Sequence, residues 1–83
     1  MQTSLRLDMR GREPPEPLLE TLSCIDEAQP GAIICLLTDR EPVMLYPHLL
    51  QMHVPWTVEC FGSPDWITRI GPVPPPGALS IVR

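Results

Sequence analysis

The tripeptide Arg-Glu-Pro occurs twice, as Arg12-Glu13-Pro14 and Arg40-Glu41-Pro42. An aspartate stands ahead of each copy, Asp8 and Asp39, and Arg10 lies just before the first. Guanidinium groups hold carboxylates and phosphates through a planar fork of donors. Prolines stiffen the loops that carry them, which lowers the ordering entropy of recognition. Arg10, Arg12, Glu13, Pro14, Asp39, Arg40 and Glu41 therefore make up a candidate binding site for a protein partner or a small acidic ligand. The same residues also serve as helix starts and pair with one another across two loops, which needs no ligand.

The thiols and thioethers come next. Cys24, Cys35 and Cys60 are an odd number without a Cys-x-x-Cys spacing, which fits reduced thiols better than a disulfide framework. Cys35 stands in an apolar run and reads as an inert core thiol. Cys24 falls well inside a helix, where no N-terminal dipole lowers its pKa. Cys60 alternates in phase with Trp56 and Val58 and should face the core. Met44, His48 and Met52 recur at i, i+4 and i+8, one stripe if their helix is continuous. Thioether and imidazole suit copper or haem, but a Met-rich helix face is far more often packing, and Pro47 interrupts the geometry. His48 and His53 would lie ~140° apart on a helix. No Ser-His-Asp order, glycine-rich phosphate loop or paired-carboxylate motif is visible. A non-enzyme without cofactor or bound metal is expected.

The elements that must position these residues follow from periodicity. Leu5 and Leu7 alternate with Arg6 and Asp8, giving a strand over Ser4–Asp8. Gly11 permits a chain reversal. Pro14, Pro15 and Pro17 suit a first helical turn, and Glu13 and Glu16 put negative charge at its positive dipole end. Leu18, Leu22 and Ile25 then predict a helix from Pro15 to Ala28, closed by Pro30-Gly31. Ala32–Thr38 is a nearly continuous apolar run and reads as a central strand buried on both faces, parallel to the first. A second helix holds Leu45, Leu49 and Met52, begins near Val43 or only at Pro47, and closes at His53-Val54-Pro55. Trp56–Phe61 and Trp66–Ile70 form a hairpin around Gly62–Asp65. Residues 71–83 hold a proline-rich tail that ends in a weak element, Ala78–Val82, able to pair with a sheet edge. The order β-α-β-α-β-β predicts a two-layer α/β sandwich, of the α+β kind, with a domain over residues 1–70. Parallel first and second strands bring both Arg-Glu-Pro copies to one sheet edge, where open α/β folds bind.

Composition bounds the function. The chain has 83 residues and a net charge of −4, with six arginines and no lysine. An acidic chain without a basic stretch argues against general nucleic-acid binding. No apolar run approaches the ~20 residues of a membrane span, and no signal-peptide pattern follows Met1. A cytoplasmic protein is expected. A domain this short buries only roughly 60–65% of its unfolded surface, so a monomer of modest stability or a weak homodimer is expected.

The stretch Gly-Arg-Glu-Pro-Pro-Glu-Pro-Leu, residues 11–18, resembles the signature of the TusA/SirA-like sulfur carriers, a glycine-containing loop followed by Cys-Pro-x-Pro at a helix start. Pro15, Glu16 and Pro17 match Pro-x-Pro, and Pro14 stands where that family has its persulfide-carrying cysteine. Together with Leu37–Pro42, Leu-Thr-Asp-Arg-Glu-Pro, the stretch is similar to an uncharacterised branch of the fold that lacks the motif cysteine. The resemblance extends to about residue 70. It implies a mixed four-stranded sheet with both helices on one face and, with the motif cysteine absent, is silent on activity. Contact with an unidentified protein partner is the expected role, and a sulfur or small-ligand carrier using another thiol, Cys60 or Cys24, is the alternative.

Overall fold

The computed structural model describes residues 4–60 and 65–75. Its elements are β1 (Ser4–Asp8), α1 (Glu16–Glu27), β2 (Ile33–Thr38), α2 (Tyr46–Gln51), β3 (Trp56–Cys60) and β4 (Trp66–Ile70). The expected hairpin loop at Gly62–Asp65, Asp65 excepted, and the Ala78–Val82 element lie outside the described residues. The strands form one mixed sheet in the order β1-β2-β4-β3. β1 and β2 run parallel, with Leu5 opposite Ile34 and Leu7 opposite Leu36. β4 runs antiparallel to both β2 and β3.

Alternation along the strands decides where the core lies. Ile34, Leu36 and Thr38 on β2 and Thr68 and Ile70 on β4 are buried. Ile34, Leu36 and Ile70 form one core cluster with Ile25 of α1 and Leu49 of α2. Both helices therefore cover one face of the sheet, which makes a two-layer α+β sandwich. α2 sits over the β3 side, where Tyr46 stacks on Trp56 with ring centroids 5.3 Å apart.

Helix boundaries follow local chemistry. Pro15 is the N-cap of α1, and a proline stands in its first turn, where a missing N–H costs nothing. α2 starts at Tyr46, after a turn in which the Leu45 N–H donates to the Pro42 carbonyl at 3.0 Å. Its end is a Schellman closure: the Val54 N–H donates to the Leu49 carbonyl and the His53 N–H to that of Leu50. His53 takes the left-handed position, φ 60°.

Two expectations are corrected. β2 is buried on one face only. Ile33, Cys35 and Leu37 point away from both helices and are half-buried, so Cys35 is not a core thiol. A continuous apolar run reports that both faces want cover, and within one chain only one receives it. Cys60 does share the helix-side face with Trp56 and Val58, yet it is exposed, because it ends an edge strand.

Candidate functional site

Parallel pairing of β1 and β2 ends both strands at the same sheet edge. The two loops that leave there are tied together. The Met9 N–H donates to the Leu37 carbonyl at 2.8 Å, which carries the parallel ladder one residue past β1. The Gly11 N–H donates to Asp39 Oδ2 at 2.9 Å. Gly11 has φ 80°, a conformation that side chains with a Cβ rarely adopt. Within the second loop, Thr38 Oγ1 donates to the Arg40 carbonyl at 2.7 Å.

Between the loops lies a cleft of about 170 Å³. Of the residues singled out in the sequence, Arg12, Pro14, Asp39, Arg40 and Glu41 line it. Both Arg-Glu-Pro copies thus meet at one opening. Its walls are mostly apolar: Met9, Pro15, Pro17, Leu18, Met44 and Leu45 contribute, and Leu36 lies at its floor. Met9, Leu18, Leu36 and Leu45 were invisible as site residues in the sequence, where they look like ordinary core positions. Their one signal was adjacency to the two repeated tripeptides.

Arg10 and Glu13 stand apart from the cleft. The Arg10 guanidinium donates to both Asp8 carboxylate oxygens at 2.9 and 2.8 Å and to Asp65 at 3.2 Å. It joins the end of β1 to the residue before β4. Those hydrogen bonds, first the side-chain and then the backbone one from Arg10, hold the Asp8 carboxyl down at about 2. Glu13 is exposed, and its carbonyl accepts from the Glu16 N–H at 2.9 Å.

Charges at the rim are unevenly satisfied. Arg12 pairs with Glu16 one helical turn on. Asp39 is taken up by Gly11. Glu41 accepts from the Tyr46 hydroxyl at 3.1 Å; burial and this carboxylate push the Tyr46 phenol up to about 12. Arg40 is exposed and makes no ion pair among the described residues. Among the described residues the rim therefore offers one uncommitted cation, while its carboxylates already have donors.

The sulfur and metal alternatives find no such convergence. No cysteine lines the cleft among the described residues. Cys24, inside α1, has its thiol pushed up by burial and by Glu27 and Glu20. α2 covers only Tyr46–Gln51, so Met44 precedes the helix, Met52 follows it, and the three-residue stripe with His48 does not form. Among the described residues no group of three or more His, Cys, Asp or Glu side chains gathers to hold a metal. None of their helices is long and apolar enough to cross a membrane.

Comparison with known proteins places the fold. No curated protein matches the chain. The SirA-like protein of Desulfitobacterium hafniense is similar in structure, with a TM-score of 0.71 at 14% identity over 80% of this chain and 93% of that one. At that identity the likeness is one of fold, and it supports the TusA/SirA-like architecture. Residues 6–72 match the model of a family described as an uncharacterized conserved protein, DUF2249, and the chain belongs to that family.

Proposed function

We propose that this TusA-like domain is non-catalytic and acts in the cytoplasm by protein–protein contact, with the cleft between the two Arg-Glu-Pro loops as its binding face. The observation that carries this reading is the cleft's lining: prolines and aliphatic side chains where a sulfur carrier would present a thiol. Pro14 has no group that can attack, accept a proton or carry sulfur. The size points the same way. Sites for drug-sized ligands occupy ~300–1,000 Å³, and about 170 Å³ suits a single anchoring side chain of a partner. Arg40 at the rim favours an acidic residue beside that anchor. The chain's net charge of −4 speaks for a protein partner over nucleic acid.

The test is quantitative capture of partners from the native cell by tagged full-length protein. The variants are Arg12→Glu with Arg40→Glu, and Glu27→Arg at the far end of α1 as control. Captured proteins should fall more than tenfold with the double variant and stay unchanged with the control. Equal capture by all three forms would refute the assignment. In parallel, incubation with a cysteine desulfurase and labelled sulfur should leave the intact mass unchanged. A persulfide adduct in most molecules would restore the carrier reading.

A further inference from the structure

We propose that the sheet face opposite the helices is a self-association surface, closed by a second copy of this chain. Its first support is the unmet need for cover. Ile33, Cys35 and Leu37 of β2 and Ile67 of β4 form a half-buried apolar strip with no element above it among the described residues. The surrounding residues of that face, Arg6, Asp8, Thr57, Glu59 and Arg69, are all exposed.

Charge arrangement names the occupant. Register sets these residues in two adjacent rows. One reads Arg6, Cys35, Arg69, Thr57 across the sheet; the next reads Asp8, Leu37, Ile67, Glu59. Cations lie in the first row and anions in the second. Arg6, Arg69 and Glu59 make no ion pair among the described residues, whereas Asp8 already pairs with Arg10. A two-fold axis crossing the strands between the rows lays each row on the other row of the second copy. Arg6 then stands over Asp8 of the second copy, twice by symmetry, and Cys35 stands over Leu37. Arg69 stands over Ile67, one strand, or ~4.8 Å, from Glu59 of the second copy. An axis along the strands would instead lay Asp8 on Glu59, like on like, which disfavours it. The apolar strip and the opposed charges are thus self-complementary in one arrangement.

Size sets the strength. Four strands ~4.8 Å apart and five residues long cover ~19 by ~17 Å, well below the ~800 Å² per partner of a standard stable interface. The dimer should be weak and strongly concentration-dependent. This face lies on the other side of the sheet from the cleft, so the inference stands apart from the proposed function.

Sedimentation velocity of the full chain, from micromolar to millimolar concentration, tests it. The wild type should pass from monomer to dimer. Arg6→Asp alone and Asp8→Arg alone should each weaken association at least tenfold, because each sets like charges against one another. An equimolar mixture of the two variants should dimerise again, since the carboxylate introduced at position 6 of one chain then meets the guanidinium introduced at position 8 of the other. Both positions are exposed, and circular dichroism of each variant checks that it folds. A wild type that stays monomeric at millimolar concentration would overturn the proposal. So would variants that associate as the wild type does, or a mixture that stays monomeric.

Discussion

Ile33 and Ile34 are neighbours on β2, identical in type, and point to opposite faces, so truncating each to alanine measures what covers each face. Ile34 is 0% exposed, opposite Leu5 and Ile70 and under the helices. Ile34→Ala removes three carbons at ~0.8 kcal/mol each, about 2.4 kcal/mol of transfer free energy. The cavity left in a packed core adds to this, for a total of roughly 3–4 kcal/mol. At ~4–8 °C per kcal/mol for a domain of this size, the melting midpoint should fall by roughly 12–30 °C. Ile33 is half-buried on the open face. Truncating it leaves no sealed cavity, because water enters, and about 1 kcal/mol should be lost. Urea and thermal melts of both variants at micromolar concentration, where the proposed dimer would be dissociated, give the comparison. Equal losses, or a greater loss at Ile33, would mean that the chain covers its own second face and would refute the one-sided core.

Three further outcomes follow from local geometry. The Asp8 carboxyl is lowered from 3.8 to about 2 in the fold, so its contribution to stability is present above pH ~4 and lost as pH falls from ~4 to ~2. Asp8→Asn should flatten the stability curve in that window, and Arg10→Met should return the Asp8 titration, followed by NMR, to the ordinary range. Gly71 has φ 125°, and a Cβ there would come within 2.5 Å of the Ala32 carbonyl oxygen, so Gly71→Ala should cost more than the roughly 1–2 kcal/mol of a left-handed residue alone. Gly11→Ala, with open space around its Cβ site, should cost only that amount, and equal denaturation midpoints would contradict the contrast. His53→Gly, at the left-handed closure of α2, should raise stability by about 0.5–1 kcal/mol in the same melts.

Much of this molecule could be read from its residues, and the exceptions have physical causes. Alternation in Leu5-Arg6-Leu7-Asp8 and the i, i+4 spacing of Leu18 and Leu22 placed the first strand and helix to within a residue. Parallel strands implied a shared edge for the two Arg-Glu-Pro loops, and both copies do line one cleft. The start of α2 was open, because Pro42 and Pro47 each fit a turn or a first helical turn. The wall of the cleft was hidden because Met9 and Leu18 are as apolar as core residues. Arg10 looked like a site residue, since nothing local shows that Asp65, distant in sequence, takes up its guanidinium. The apolar run of β2 showed a demand for cover on two faces without showing where the second cover comes from.

The strand order β1-β2-β4-β3 also sets an order of assembly. β3 and β4 pair across a short connection, so their hairpin can close in ~1–10 μs. β1 meets β2, its one neighbour among the described residues, only after the whole of α1 has crossed over, and that longer loop must close before any contact rewards it. β1 should therefore dock late in folding. As an edge strand, it should also be the first to detach in native-state fluctuations. Met9 and the Gly11–Asp39 bond leave with it, so the cleft is the part of the fold last made and first undone. Hydrogen exchange at the Met9 and Gly11 amides would then outpace exchange in β4, and a partner seated in the cleft would slow it by holding β1 in place.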